Sequence, residues 1–582
     1  MNFIFYDFEV FEKYWCMAFK IVNSDRETLS QGVIDDRERL IEFVTALQDN
    51  IFVGFNNVNY DDKIMQWIIS KDENPKIAND IIITDDNGYS LKGTDLIIYD
   101  VYTRLDGGLK KNEGKLGLSI VESEVAFSKV DLTPQDIEDI QKYCIYDVDA
   151  LAELFYNKKK TFDVKKTILE EFNQPIYNLR YTNAGVVNKM LCKSNPTKFN
   201  DEHLYHLDFP NNYGLDDELY NFLKHEGHKC NNKYNYTFDA WGVEILIGAG
   251  GVHGGLNRFN KDGRFLNIDV KSYYPALMIE HDLYSRNAKS IAEYKEIFRK
   301  KVELGEPQYK LVLNTTYGLE RSDYYGFADK RRALGVCMQG QFYLLVLANV
   351  VREVAPIVNI NTDGILLDIT ESTADNLDVI MEICAEWEKL TRFTLDFEYF
   401  SAIRQRDVNN YAWCTEDGYI KTKGAEYSDN TPNYIKTNII NTLFDKEWTN
   451  SDNLIDYQYI VSKGTFESLV LNDETIQNVN RAYYATDGHQ LYKQRNDNYS
   501  KYPNMDKVAI YNDSVLDVKI LDNVDIKRYN ECVQRSVKRY YIDEKEEKRE
   551  LSARKKKRKK RMSNLKKLRK SKRRLYSVKN IL

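Results

Sequence analysis

The chain of 582 residues is long enough to bury several cores, roughly three to five at ordinary domain size. At 43% apolar and 29% charged it has a globular composition, which excludes low-complexity, collagen-like and wholly membrane-embedded classes. The net charge of −7 is lopsided: 16 basic residues and no acid lie between Arg554 and Lys579, leaving about −23 on the remainder, so the overall balance excludes neither an acidic nor a basic partner.

The opening MNFIFYDFEVF has no basic run ahead of an apolar core, and no window approaches 18 uninterrupted apolar residues, so neither an export signal nor a membrane span is expected. Phe3, Ile4, Phe5, Phe8 and Val10 surround Asp7 and Glu9 in a predicted strand, where alternate residues share a face and the two carboxylates lie roughly 6–7 Å apart. Such a pair is unfavourable unless a cation sits between the two; the plain alternative is a half-exposed strand with its acids in water. Ile51 to Phe55 is a second apolar run, leading into Asn57, Tyr60 and Asp61. Leu96 to Asp100 reads as a third strand, and Lys115 to Ile120 as a helix start. Leu132-Thr133-Pro134 opens an amphipathic helix that places Tyr143 and Asp147 four residues apart on one face.

In this order and spacing, Asp-x-Glu, Asn-x-x-Tyr-Asp and Tyr-x-x-x-Asp resemble the three exonuclease motifs of proofreading DNA polymerases of family B. The resemblance implies a ribonuclease-H-like α/β domain that removes nucleotides from a 3′ end. It further implies that Asp7, Glu9, Asp61 and Asp147 are catalytic and hold two Mg²⁺ ions about 4 Å apart, one activating water and the other stabilising the leaving oxygen. Tyr143 would orient that water, Asn57 and Tyr60 would touch DNA, and Mn²⁺ is expected to substitute for Mg²⁺.

Residues 166–200 read as helix with polar breaks, and 201–240 show no clear period. His203 with His206 and His225 with His228 have helical spacing and are read as surface residues. The glycine run from Gly248 to Gly255 lacks the Lys-Ser/Thr of a phosphate-binding loop. It resembles the Tyr-x-Gly-Gly linker of the same family, with Gly248 in place of the tyrosine, which implies that Gly250 and Gly251 touch template DNA.

Phe265, Leu266, Ile268 and Val270 predict a short strand with Asp269 at its end; Ser272, Tyr273, Tyr274 and Pro275 follow, and Ala276 to Ile279 can begin a helix. Lys310, Asn314 and Tyr317 fall on one helical stripe, with Leu311 and Leu313 facing elsewhere. Two apolar runs, Ile357 to Ile360 and Ile365 to Leu367, flank Asp363-Gly364, a hairpin signal that puts a carboxylate at the tip.

These three segments resemble motifs A, B and C of family B DNA polymerases: Asp-x-x-Ser-x-Tyr-Pro, Lys-x-x-x-Asn-x-x-Tyr-Gly and a variant of Tyr-x-Asp-Thr-Asp-Ser. The resemblance implies that Asp269 and Asp363, helped by a backbone oxygen of Val270, hold two Mg²⁺ ions for nucleotidyl transfer. Lys310, Asn314, Tyr317 and Ser272 would meet the incoming nucleotide, and Tyr274 would exclude a 2′-hydroxyl. Motif C departs from the pattern, with Asn359 for its tyrosine, Asn361 for its first aspartate and Gly364 for its serine. Only 40 residues separate Asp269 from Lys310, so the fingers are expected to be two short helices, 288–304 and 308–321. That economy resembles the compact members encoded by tailed phages. Asn409-Asn410-Tyr411 lies where the family has Lys-x-Tyr at the primer terminus, leaving Tyr411 for that contact and Lys421 or Lys423 to replace the lysine.

In the C-terminal part, Asn480, Arg481 and Lys519 are either phosphate contacts or scattered surface residues, and the basic tail is read as a DNA tether sensitive to salt. The abundance of tyrosine, 42 residues, suits surfaces that stack on bases, and eight scattered cysteines without a Cys-x-x-Cys pair suit a reducing cytoplasm. The expected architecture is α/β and α+β multidomain. A ribonuclease-H-like exonuclease domain (1–165) precedes a right hand made of a linker and start of palm (166–265), palm (266–287), short fingers (288–325), palm (326–427) and thumb (428–550), with a basic tail (551–582). The implied activity is DNA-directed DNA synthesis with 3′–5′ proofreading during phage replication; the alternative is an exonuclease whose degenerate polymerase half only binds DNA. Primer-template DNA and dNTPs are the expected partners, with phage single-strand-binding protein or helicase. The chain is expected to be a monomer in the host bacterial cytoplasm, off the membrane.

Overall fold

The computed structural model describes residues 1–542 apart from 85–90, 104, 206, 208, 210 and 232; the basic tail and His206 lie outside the described residues. Five strands, β1 (Phe3–Val10), β2 (Trp15–Val22), β3 (Thr28–Ile34), β4 (Ile51–Gly54) and β5 (Ile97–Asp100), form one sheet in the order β3-β2-β1-β4-β5. β2 runs antiparallel to β1 and β3, whereas β4 is parallel to β1 and β5. β1 is buried on both faces, which is why it is almost wholly aromatic and aliphatic. Ile4, Tyr6, Phe8 and Val10 enter one core with Ile64, Met65 and Trp67, while Phe3 and Phe5 enter another with Cys144, Val148 and Phe155 of helix Pro134–Asn157. Asp7 and Glu9 continue the second alternation, so both carboxylates look toward that long helix.

The long helix starts where Thr133 and Asp136 close a reciprocal capping box ahead of Pro134. The helix expected at Lys115 lies earlier, at Leu109–Leu116. Gly117 ends it in the left-handed conformation, φ 82°, so the residues to Ile120 cannot continue it.

A second, nine-stranded antiparallel sheet is built from β6 (Tyr236–Ala240), β7 (Val243–Gly248), β8 (Gly251–Gly255), β9 (Phe259–Val270), β10 (Ile357–Asn361), β11 (Gly364–Asp368), β12 (Leu395–Asp407), β13 (Asn410–Thr415) and β14 (Ile420–Lys423). Their order is β14-β13-β12-β9-β11-β10-β8-β7-β6. The glycine run expected to be a linker is therefore the β7–β8 hairpin inside the sheet, turning at Ala249 and Gly250. Gly251 holds φ 141°, and a Cβ there would stand 2.9 Å from Thr362 Oγ1, so glycine lets this hairpin lie against the β10–β11 turn. That second turn consists of Thr362, φ 49°, and Asp363. Gly364 is already paired within the sheet, opposite Asp269.

Leu266, Ile268 and Val270 point into the core beneath helix Lys330–Val351, so Asp269, out of phase with them, faces the open side. Helix Tyr273–Glu280 begins before Ala276, with Pro275 in its first turn, where a missing N–H breaks no helical bond. Helices Ile291–Leu304 and Pro307–Arg321 follow as an antiparallel pair. Helix Lys330–Val351 is long and apolar enough to cross a membrane, yet 83% of its most apolar stretch is buried: it is greasy on all sides because protein surrounds it. Tyr273 and Leu277 cross it closely at Gly340, and the Tyr273 hydroxyl donates to the Gly340 carbonyl at 2.6 Å.

Beyond β14, helices Asn433–Leu443 and Ile526–Lys538 flank a three-stranded and a four-stranded sheet around a separate core. Asn480 and Arg481, expected at the surface, are fully buried there.

Two candidate acidic active sites

At the end of β1, helix Pro134–Asn157 lays Asp147 over Asp7 and Glu9, and one oxygen from each of the three lies within 4.8 Å of the others. At an effective dielectric of about 20, two charges at that spacing repel by about 3 kcal/mol. Burial, then Asp61 and Glu9, push Asp7 far above the ordinary carboxylate range, and burial with Asp147 does the same to Glu9. Three such pairs outweigh what one cation recovers, so the nest calls for protons or metal.

Among the described residues the cation set against the nest is Lys110, which sequence reading missed. From helix Leu109–Leu116 its ammonium donates to Asp147 Oδ1 and, at 3.3 Å, to Glu113 Oε1. Burial opposes its charge, but Asp147 and Glu113 hold its pKa above the usual value. Its Nζ also stands 4.6 Å from the centre of the Tyr143 ring, whose hydroxyl donates to Asp147. Glu113, only 1% exposed, is pushed up to about 8 by its burial. A Lys-Lys pair between Gly-Gly-Leu and Asn-Glu-Gly carries no signal of this role, because the lysine arrives from a separate helix.

Asp61 stays beside the nest without joining it. Its Oδ1 accepts the Phe8 N–H at 3.1 Å, an amide beyond the reach of β4, whose pairing with β1 stops at Phe5. Burial pushes it up to about 7. Asp7, Glu9 and Asp147 form the tight group, and Asp61 stands close enough to be the largest charge acting on Asp7. Asn57 is corrected outright: it is fully buried and donates to the Tyr6 hydroxyl at 3.0 Å, which removes it as a DNA contact. Tyr60, half-buried beside Asp61, bonds Asn79 at 2.7 Å. Hard, anionic and convergent, the three carboxylates fit Mg²⁺ or Mn²⁺.

The second site is a row across the large sheet. Asp396, Asp269, Gly364, Asn361 and His253 are successive partners on β12, β9, β11, β10 and β8, so their side chains share one face. Asp363 projects from the turn beside this row, held from both sides: the Val270 N–H donates to the Asp363 carbonyl and the Thr362 N–H to the Val252 carbonyl, each at 2.8 Å. A Cβ on Gly364 would lie 3.0 Å from Asp269 Oδ1, so glycine at this position leaves room for the Asp269 carboxylate. Asn359 and Asn361 have separate fates. Asn359 is buried and donates to Gln405 at 2.8 Å, whereas Asn361 stays on the active face, bonded to His253.

A cavity of about 500 Å³ opens over this row. Asp269, Val270, Ser272, Tyr274 and Asp363 line it together with Lys310, Asn314 and Tyr317, so the expected nucleotide residues do converge. Lys271, Lys301 and Asp396 also line it and were not foreseen; Lys271 pairs with Asp396 at 2.6 Å. Burial, then Lys310, lowers the pKa of Lys301. The Tyr274 ring is fixed edge-on against Tyr317, centres 4.4 Å apart, and its hydroxyl donates to the Gly250 carbonyl at 3.1 Å. Lys423 sits directly opposite Tyr411, its Nζ 6.0 Å from the ring centre. Lys421 instead pairs with Glu398. Asp269 and Asp363 present hard oxygen donors toward one cavity, which suits divalent cations of the same class.

Burial, then Asp363 and Asp396, push Asp269 up to about 7. A carboxyl whose folded pKa is raised contributes stability below its unfolded value, about 4, and loses it as pH climbs through about 7. In metal-free protein the unfolding temperature of Asp269→Asn relative to the parent should therefore rise between about pH 5 and 7 and level off above. A difference independent of pH would contradict the crowding of these carboxylates.

No family model and no curated protein matches the sequence. Among solved structures, the family B DNA polymerase from the hyperthermophilic archaeon Pyrobaculum calidifontis is similar over 93% of this chain and 78% of its own, with 12% identity and a TM-score of 0.40.

Proposed function

We propose that the chain is a DNA-directed DNA polymerase with a 3′–5′ proofreading exonuclease. One observation carries the reading: Asp269 and Asp363, distant in sequence, line one cavity together with Lys310, Asn314 and Tyr317. When bound at such a site, two Mg²⁺ ions activate a primer 3′-hydroxyl and stabilise the departing pyrophosphate. The chain's own residues do the rest. Lys310, Lys301 and Lys271 neutralise the triphosphate, and Asn314 orients it. Tyr411 and Lys423 stand on β13 and β14 to hold the primer end. At the other site Asp7, Glu9 and Asp147 would hold the metal, Lys110 keeps Asp147 oriented, and Tyr143 would position the attacking water. Residues 1–165 then act as the exonuclease domain and 266–427 as palm and fingers. The compact spacing supports a phage replicase working on primer-template DNA.

Asn361, an amide where the family has a carboxylate, favours a second reading in which only the nuclease is active. Primer extension with Mg²⁺ decides: nucleotide addition supports the polymerase, whereas degradation of single strands without any addition supports the nuclease.

Tyr274, held by Tyr317 and the Gly250 carbonyl, would meet the 2′ position of an incoming sugar. Tyr274→Ala should raise ribonucleotide incorporation relative to deoxynucleotide by about 100-fold, equivalent to about 2.7 kcal/mol of lost discrimination. Unchanged sugar selection in competition assays would remove this residue from the role of gate.

A further inference from the structure

Arg481, on strand Val479–His489, is 0% exposed, and among the described residues its hydrogen bonds go to an amide oxygen and backbone carbonyls. Its Nε donates to Gln458 Oε1 at 2.6 Å, its Nη1 to the Tyr511 and Asp513 carbonyls at 3.2 and 2.5 Å, and its Nη2 to the Gly114 and Leu118 carbonyls at 3.3 and 2.6 Å. Every donor of the guanidinium is thereby used, and all but one go to backbone carbonyls. A fully buried cation is costly unless all its hydrogen bonds are made, so the geometry of these five acceptors is tightly constrained.

Two of the acceptors belong to the end of helix Leu109–Leu116, the helix that carries Lys110 and Glu113 into the nest of Asp7, Glu9 and Asp147. The Gly114 carbonyl in the last turn also accepts the Gly117 N–H, and the Leu118 carbonyl lies just past the helix; Arg481, more than 360 positions away, ties the two together. The same segment is held again around Arg481. The Val515 N–H donates to the Gly117 carbonyl at 2.8 Å, and the Ile120 N–H to the Asn512 carbonyl at 2.7 Å. Glu122 accepts from the Asn478 and Val479 N–H groups, each at 3.0 Å. Ile460 presses on Gly114 so closely that a Cβ would come within 2.7 Å. The C-terminal region, not the five-stranded sheet alone, sets where this helix lies.

We propose that Arg481 is a positioning residue for 3′–5′ degradation: by clamping the end of helix Leu109–Leu116 it fixes the Lys110 ammonium against Asp147. The inference rests on the nuclease reading of the acidic nest. It links the region that would grip duplex to the site that would remove a mispaired end, so a shift of one would be felt by the other.

The test is a double-mutant cycle on the full chain. Parental protein degrading a 3′ single strand with Mg²⁺ establishes the nuclease; if it does not, that reading fails, and the cycle is not reached. Given degradation, Arg481→Gln should slow it about tenfold or more while primer extension stays within about twofold. Lys110→Ala should slow it comparably, and the double variant should be no slower than the slower single one, because both losses pass through one ammonium. Equal degradation by Arg481→Gln, or multiplying losses in the double variant, would overturn the proposal. Hydrogen exchange supplies a readout apart from activity: amides of 112–118 should exchange faster in Arg481→Gln, and unchanged protection would also overturn it. Glu122→Gln, which weakens the same clamp at an exposed edge, serves if Arg481→Gln fails to fold, with a smaller slowing expected and the parental rate counting against the clamp.

Discussion

Asp363→Asn is expected to abolish primer extension, by about 10³-fold or more, while degradation of single strands from the 3′ end continues at the parental rate. The loss corresponds to about 4 kcal/mol of transition-state stabilisation, the scale of removing one charged metal ligand. The substitution keeps size and hydrogen bonding at an exposed turn, where the Val270 and Thr362 amides hold the backbone whatever the side chain. Metal-free stability should not fall, because the amide removes the charge that crowds Asp269, so lost extension would report chemistry and not unfolding. The neighbouring Asn361 sharpens the expectation: it offers an amide and not a carboxylate, and the third acid of the cavity, Asp396, is paired with Lys271. Extension within tenfold of the parent would show that Asp363 is not a ligand and that the cavity serves some other purpose.

The converse experiment is Asp7→Asn, for which degradation should fall by about 10³-fold or more and extension should persist. Here activity and stability are expected to move in opposite directions. Asp7 is crowded by Asp61, Glu9 and Asp147 and is driven to hold a proton by its burial; an amide of the same shape removes a repulsive charge from the nest. The metal-free variant should therefore unfold at a higher temperature than the parent near pH 8, where the parent's nest is most charged, and the gain should shrink toward pH 5. A less stable variant at every pH would mean that Asp7 is held by favourable bonds and is not poised for a cation.

Much of this was legible in the primary structure because the signals are local. A both-faces-buried strand such as β1 must be apolar throughout, so Asp7 and Glu9 stand out within it; Thr133-Pro134 and the stripe Lys310, Asn314, Tyr317 announce their helices by capping and by period. Where glycine was taken for a turn or a linker, it proved to serve close packing: Gly364 makes room for Asp269, and Gly251 for Thr362. Arg481 misled for a related reason, since a lone arginine in a polar stretch says nothing of five acceptors gathered from three distant segments.

Residue types, spacing and periodicity within single elements were enough to name the carboxylates, the amphipathic helices and the hairpin that carries Asp363. The partners that make those carboxylates usable came from chain folding: Lys110 against Asp147, the row from Asp396 to His253, and the clamp of Arg481 on helix Leu109–Leu116. Short-range backbone preferences are written at fixed offsets along a chain, whereas the register between strands and the docking of one region on another are chosen by summed burial and hydrogen bonding over the whole molecule, which no single segment encodes.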